Sequence, residues 1–382
     1  MSTDYDFVVG GGSVAGLAFA AEASKRDATV LVLEEHEIIG EPEKCDGLVS
    51  LRGLSRRGYT PDQDVIQNQI TTALIHSPRG RHFAVNATAL EVVVLDRSSY
   101  DKQLARLAES LGAVVRTGAR VVGTEQSAGE VSVSANGERF TAKYYVDATG
   151  PASSPRRGIM PAAKYEVEGD WIREHVVEVF LDRDLYPGFF AWVIPYGRHR
   201  AKVGTAGFGV APFKALDDFL ASRPSRILRR ISAPLYVGGP VRDFVRGRTI
   251  LVGESAGQVK PTTAGGIMTS IAGAITAAHW ASESLTRGEP GLLANYRRDW
   301  EAQFLKEMRS MARLRGVFEK LTNADLESLM EIVATPKVIH KLSQSDFDFH
   351  ASALLGALGI QGVLRLASTV TSAEVRALLV NG

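Results

Sequence analysis

Four residues near the start of the chain have the types and spacing to hold a dinucleotide: Gly11, Ser13, Gly16 and, 23 positions beyond the first, Glu34. The first three read as G-x-S-x-x-G, the dinucleotide fingerprint with serine in place of its middle glycine. A glycine first permits a tight turn, a small middle residue lets a diphosphate approach the backbone, and Gly16 allows close packing of helix on strand. Backbone N–H groups at the helix start bind the anion. A carboxylate about 20 residues on accepts hydrogen bonds from a ribose diol and disfavours a 2′-phosphate. Two other places hold groups capable of chemistry. Glu254 lies in "LVGESAGQVKPTTAGGIM" (251–268), where a strand gives way to small and polar residues and then to a second glycine-rich helix start. Cys45, the only cysteine, lies in "EPEKCDGLVS".

These residues need particular elements to position them. "DYDFVVGGGSVAGLAFAAEASKRDATVLVLEE" (4–35) reads as strand, glycine turn, helix, strand, with Glu34 closing the second strand. Each piece has a plainer reading, a flexible turn at Gly10 to Gly12 and a solvated strand end at Glu34. Their joint order and spacing argue for the nucleotide. "NATALEVVVLDRSSYDKQLARLAESLGAVV" (86–115) predicts a strand and an amphipathic helix that return to the same sheet. On spacing alone Arg97 either pairs with Asp101 at the helix start or reaches a cofactor. "GEVSVSANGERFTAKYYVDATG" (129–150) predicts a hairpin with an Asn136-Gly137 turn, ending at Asp147-Ala-Thr-Gly150.

The whole chain bounds the reading. At 382 residues it is long enough for two or three structural units. A hydrophobic content of 45% and a charged content of 23% are those of a globular protein, and a formal charge of +1 supplies no long-range field for nucleic acid. One cysteine forms no intramolecular disulfide, and "MSTDYDFVVGGG" enters a strand without a charged-then-apolar leader, so a cytoplasmic protein is expected. The apolar stretch "ASALLGALGIQGVL" (351–364) falls short of the ~18 residues of a membrane span and predicts a packed or surface-lying helix. No metal site is expected.

Between 156 and 241 the pattern changes to strands carrying aromatics. Alternation in "GFFAWVIPYG" puts Phe190, Trp192 and Ile194 on one face. By itself such a face reads as a sheet covering its own core.

Taken together, the glycine-rich first turn, "LDRSSYDKQLARLA", "VDATG" and "LVGESAGQVKPTTAGGI" resemble the FAD-dependent flavoproteins that include the aromatic hydroxylases and the geranylgeranyl reductases. "QVKPTT", "FFAWVIPYG" and "YRRDWEAQFLKEMRSMARLRGVFEKLTNADLESLM" are similar specifically to the reductases. The resemblance implies FAD as cofactor. Gly11, Ser13, Ala15 and Gly16 would surround its pyrophosphate, Glu34 its adenosine ribose and Val121 its adenine. Arg97 would lie along the cofactor, Glu254 would face its ribityl or pyrophosphate part, and the Gly266 and Ile267 N–H groups would lie near the flavin ring. A helix N-terminus aimed there favours the anionic reduced form. Phe190, Trp192 and Ile194 would line an apolar channel for an isoprenoid chain. The loop Cys45-Asp46-Gly47 would lie near the flavin face, with Cys45 and Gly47 as catalytic candidates and Cys45 and Asp46 also near the cofactor. With acidic Asp46 beside it, the thiol suits proton donation better than nucleophilic attack. Three departures from the family pattern stand out: Ser13 for glycine, Glu254 for aspartate and Ala264 for a frequent glycine.

The expected architecture is α/β. Residues 1–55, 91–155 and 242–300 form a discontinuous Rossmann-like FAD domain, 56–90 and 156–241 an antiparallel-sheet substrate domain, and 301–382 a C-terminal helical region. The expected activity is FAD-dependent reduction of isolated C=C bonds in geranylgeranyl chains of membrane lipid precursors, as in archaeal-type phospholipid synthesis. Reduction of a menaquinone or chlorophyll-precursor prenyl chain is the alternative, and aromatic hydroxylation a more distant one. An external electron donor, reduced ferredoxin or a nicotinamide, is expected, along with peripheral contact of the basic segments 223–230 and 306–316 with anionic headgroups at the inner membrane face.

Overall fold

The computed structural model describes residues 4–151 and 157–358. The chain divides into two compact units. The first takes Met1–Glu43, Asp96–Gly158 and Tyr236–Met308, and the second takes Lys44–Leu95, Ile159–Leu235 and Arg309–Gly382.

In the first unit, Tyr5–Gly10 lies at the middle of a parallel sheet, flanked by Val30–Leu33 on one side and Glu138–Asp147 on the other. Val114–Arg116 extends the sheet beyond Val30–Leu33, and Thr249–Leu251 extends it beyond Glu138–Asp147. A strand covered on both faces carries apolar residues throughout rather than alternating ones. "VLVL" at 30–33 does so and is at most 2% exposed. Helix Val14–Ser24 is buried along its whole length and packs between helices Arg97–Ser110 and Ile267–Arg287, which accounts for its lack of a polar face. On that side Phe7 meets Phe19 edge to face at 5.2 Å. Val8, Leu31, Leu33, Val131, Val133 and Tyr145 form a separate core cluster. The expected hairpin is present, with Asn136 and Gly137 at φ 48° and 82°, the left-handed pair that a tight two-residue turn requires.

The second unit is built on a seven-stranded sheet in the order Arg226–Ser232, Ala162–Glu168, Arg200–Ala206, Ala191–Gly197, Val176–Phe180, Thr72–His76, His82–Asn86. Every pairing is antiparallel except that of Val176–Phe180 with Thr72–His76. One face packs Tyr165, Val167, Val193 and Val203 against Leu216 and Phe219 of helix Pro212–Leu220. The helices Asn323–Val333 and Pro336–Ser343 begin at side-chain caps from Thr322 and Thr335.

One expectation is corrected. Val92–Leu95 does not join the parallel sheet; only Val114–Arg116 of the 86–115 segment does. The four residues Val92–Leu95 are at most 3% exposed because Leu48–Ser50 and Ile66–Ile70 pair with them antiparallel on either side. That pairing also places 44–55 in the second unit. The helices after 308 belong there too, where Val317, Leu321 and Leu326 cluster with Leu181. Residues 350–358 are helical, and the rest of the apolar stretch to 364 lies outside the described residues. Among the described residues no helix is long and apolar enough to cross a membrane.

Candidate functional site

The first unit brings Gly11, Ser13, Ala15, Gly16 and Glu34 to one end of the parallel sheet. Gly11 follows the strand at φ 105°, and a Cβ there would stand 2.4 Å from the Ala148 carbonyl oxygen, so only glycine fits. A Cβ on Gly16 would stand 2.0 Å from the Gly11 carbonyl oxygen; helix and turn touch through their backbones. Ser13 occupies the N-cap of Val14–Ser24 in extended conformation but makes no side-chain cap bond. Its hydroxyl instead donates to Asp101 Oδ2 at 3.3 Å and accepts from Arg97 Nη2 at 3.4 Å. The helix start carries no acidic residue in its first turn. Its N–H dipoles are therefore presented to an anion.

Glu34 follows the second strand and is 9% exposed. Its Oε2 accepts from the Gly12 N–H at 2.7 Å and its Oε1 from the His36 N–H at 3.0 Å, and the His36 ring also bonds to Oε1. Arg97 pairs with Asp101 at 2.8 Å, and both are nearly fully buried, which is the first of the two arrangements its spacing allows. Burial pushes the Asp101 carboxyl above its usual range, while the Arg97 guanidinium pulls the other way. Val121 begins strand Val121–Gln126 and is partly buried beside the core cluster of Val8 and Leu33.

Glu254 lies in a single 3₁₀ turn, Gly253–Ala256, joined to the strand Thr249–Leu251 by Val252. Residues of the sequence motifs with no role assigned to them hold that turn. Ser255 Oγ donates to Asp147 Oδ1 at 3.0 Å and accepts from the Gly150 N–H at 3.0 Å, tying the turn to the "DATG" strand end. Gln258, fully buried, accepts from the Gly253 N–H at 2.8 Å and donates to the Tyr296 hydroxyl at 2.9 Å, which in turn donates to the Leu251 carbonyl. Gly253, at φ 63°, would put a Cβ 2.5 Å from the Ala15 Cβ. Gly266 is the N-cap of Ile267–Arg287 and has no side chain to cap it. Two uncapped helix starts and a glycine turn offer N–H donors, and the buried Glu34 carboxylate offers an acceptor, a set that fits a diphosphate-linked dinucleotide.

The second unit holds the other predicted residues. Trp192 and Ile194 lie in Ala191–Gly197, 8% and 6% exposed, and Phe190 immediately precedes the strand. Phe189 stacks on Phe190 at 4.1 Å, and Trp192 meets both edge-on at 6.1 Å. The Trp192 ring lies over Gly204, where a Cβ would come within 2.2 Å of it. Cross-strand register puts Gly204 and Lys164 in one row with Trp192, and Lys202 and Glu166 in one row with Ile194. The expected apolar wall therefore also carries two lysines, 3% and 1% exposed. Alternation along "RAKVGTAG" would have placed Lys202 there.

Those lysines reach the Cys45 loop. Lys164 Nζ donates to the Cys45 carbonyl at 2.8 Å and lies 3.3 Å from Asp46 Oδ1; Lys202 Nζ donates to the Asp46 carbonyl at 3.2 Å. Cys45 is a free, half-buried thiol whose Sγ lies 3.5 Å from the Gly47 N–H. Gly47, at φ 82°, approaches the Leu95 carbonyl so closely that a Cβ would stand 2.2 Å from it. An open cleft of about 850 Å³, lined by Asp170, Arg198, His199 and Arg226, belongs to this unit but contains none of the predicted site residues.

The chain is 30% identical over 366 residues to digeranylgeranylglycerophospholipid reductase 2 of Methanopyrus kandleri, covering 86% of this chain and 90% of that protein. It belongs to the digeranylgeranylglycerophospholipid reductase family. A second family member, reductase 1 of the same organism, is 30% identical over 372 residues, covering 89% of this chain and 96% of its own. No family model matches the chain. Among solved structures, a geranylgeranyl bacteriochlorophyll reductase-like protein from Thermoplasma acidophilum superposes with a TM-score of 0.85 at 22% identity, covering 95% of this chain and 98% of that one. A p-nitrophenol 4-monooxygenase from Pseudomonas putida shares the fold more distantly, with a TM-score of 0.66 at 17% identity over 92% of this chain and 98% of that one. The family fold is thus the α/β architecture described above, parallel-sheet unit and antiparallel-sheet unit included.

Proposed function

We propose that this chain is an FAD-dependent oxidoreductase that saturates isolated C=C bonds in the geranylgeranyl chains of glycerophospholipid precursors. The observation that carries the reading is 30% identity to a named reductase of that class over nearly the whole of both chains. In support, the sheet end of the first unit carries backbone donors and a carboxylate acceptor of the kind a flavin dinucleotide would use. Gly11, Ser13 and Gly16 would receive its diphosphate, Glu34 its ribose hydroxyls, and the Gly266–Ile267 helix start the electron-rich edge of the ring. When bound and reduced, the flavin supplies the hydride.

An isolated alkene has no polarising group, so the chain must supply a proton as well. The reading gives that role to Cys45, with Asp46 and Gly47 shaping its loop. Trp192, Phe190 and Ile194 would receive the prenyl chain by apolar contact, since a polyprenyl group offers no hydrogen-bonding atom. FAD in place of another flavin, the external electron donor and contact with a membrane surface are parts of the same proposal.

The test is anaerobic. The purified flavoprotein is reduced chemically and mixed with digeranylgeranylglycerophospholipid, and the lipid is followed by mass spectrometry. Hydrogen added in successive pairs is the expected result. Unchanged lipid, with oxygen-dependent hydroxylation of an aromatic compound instead, would move the chain to the monooxygenase activity of its more distant structural relatives.

A further inference from the structure

Lys164 and Lys202 stand where a sheet closing its own core would place apolar residues, as this sheet does on its other face with Tyr165, Val167 and Val203, all 0% exposed. A buried ammonium group is costly unless it is paired and hydrogen-bonded. Both lysines donate to the backbone of one loop, Cys45–Gly47, and Lys202 also lies over the Tyr196 ring at 5.6 Å. We infer that Lys164 and Lys202 are positioning residues that clamp this loop to the Trp192 face of the sheet and thereby fix the Cys45 thiol; the inference rests on the assignment of Cys45 to the reaction.

The two ammonium groups take successive carbonyls of the loop. Lys164 holds Cys45 O at 2.8 Å and faces the Asp46 carboxylate, and Lys202 holds Asp46 O at 3.2 Å. The far end of the loop is already pinned, because the Leu95 N–H donates to the Gly47 carbonyl at 3.0 Å and Gly47 fits against Leu95 only without a side chain. With both ends held, Cys45 Sγ keeps its 3.5 Å approach to the Gly47 N–H. Lys164 lies in the same cross-strand row as Gly204 and Trp192, so one row of the sheet sets both the aromatic wall and the loop that carries the thiol. Each ammonium is a compact charge on a buried stem, and two of them on successive carbonyls fix where the loop sits as well as that it is buried.

The test compares Lys164→Met, Lys202→Met and Lys164→Arg in the full-length holoenzyme. Methionine keeps the stem volume and removes the donors, whereas arginine retains a donor. Amide hydrogen exchange over 44–48 is expected to accelerate about tenfold or more in either methionine variant and to change little in Lys164→Arg. Strands 162–168 and 200–206 keep their protection. Single-turnover lipid reduction by pre-reduced enzyme falls about tenfold in Lys164→Met with little change in half-saturation, and this loss vanishes in a Cys45→Ala background. Unchanged exchange over 44–48, or an equal loss with and without Cys45, would overturn the inference. If Cys45→Ala alone keeps full turnover while exchange still accelerates in the lysine variants, the chemical role of Cys45 falls and the clamp stands.

Discussion

Gly16→Ala sets two physical effects against each other. Gly16 lies in the first turn of Val14–Ser24, where alanine is the better helix former by about 0.8–1 kcal/mol, so propensity alone predicts a more stable protein. Sterics predict the reverse. The new Cβ would stand 2.0 Å from the Gly11 carbonyl oxygen, with Ala148 Cβ behind it at 3.2 Å. The obstructing atom is backbone and cannot rotate aside, so helix and turn must separate by about 1 Å; overpacking of this kind costs about 1–3 kcal/mol. The net destabilisation is about 0–2 kcal/mol. On the proposed reading flavin binding suffers more, because the displaced helix start carries the N–H groups assigned to the diphosphate. Losing one hydrogen bond to a charged group, about 1.5–3 kcal/mol, weakens binding roughly 10- to 150-fold. Flavin content after dialysis and a fluorescence titration of the apoprotein measure this. Gly123→Ala, where nothing stands within 4 Å of the added carbon, serves as the control. A Gly16→Ala protein that melts higher and binds flavin as tightly as the wild type would refute both the contact and the assignment of the cradle.

Two further predictions concern stability. Ala264 adopts φ 55° in the turn before Ile267–Arg287, a left-handed conformation costing a residue with a Cβ about 1–2 kcal/mol. Ala264→Gly relieves that strain against the greater chain entropy of unfolded glycine, for a net gain of about 0.5 kcal/mol in denaturant unfolding; a lowered midpoint would count against it. Burial pushes the hydroxyls of Tyr100, Tyr145 and Tyr296 up, and that of Tyr186 up to about 12. An unfolded tyrosine releases its proton near pH 10, about two units below the folded Tyr186. Above pH ~10 the unfolded chain therefore binds fewer protons than the folded one, and stability present below that pH is lost as pH rises toward 12. After a jump to about pH 11, part of the tyrosinate absorbance should appear only as the circular dichroism collapses; immediate ionisation of all ten tyrosines would contradict this.

What the sequence disclosed follows from how local each signal is. The Asn136-Gly137 hairpin and the βαβ start were readable because turn chemistry and a fully buried helix are written in consecutive residues. The sheet membership of Val92–Leu95 was not. Four β-branched and apolar residues suit a parallel interior strand and an antiparallel one sandwiched by two partners equally well, and pairing with Leu48–Ser50 and Ile66–Ile70 is a long-range choice. Gln258 escaped notice for a related reason. A buried glutamine is recognisable only when its partners are known, and these are Gly253 five residues before it and Tyr296 thirty-eight after it. Lys164 and Lys202 were hidden by an assumption that a face bearing Trp192 and Ile194 would be apolar throughout, although strand alternation already placed Lys202 beside them.

The departures from the family pattern make sense once their surroundings are in view. A glycine at position 13 would leave the helix start open but would have nothing to offer Arg97 and Asp101. The Ser13 hydroxyl touches both and so links the cradle to helix Arg97–Ser110 from its first turn. Glu254, one methylene longer than aspartate, sits in a turn whose distance from the cradle is set by its neighbours. A Cβ on Gly253 would stand 2.5 Å from the Ala15 Cβ, so position 253 admits only glycine, and Gln258 and Ser255 hold the turn from either side. The small side chain of Ala15 thus lets the 253–256 turn close against helix Val14–Ser24, at whose N-terminus the proposed diphosphate would lie. In the proposed cradle, the glycine turn at 11 and the glutamate turn at 254 would be two walls joined through Ala15. A change at Ala15 that kept the fingerprint intact would still separate them.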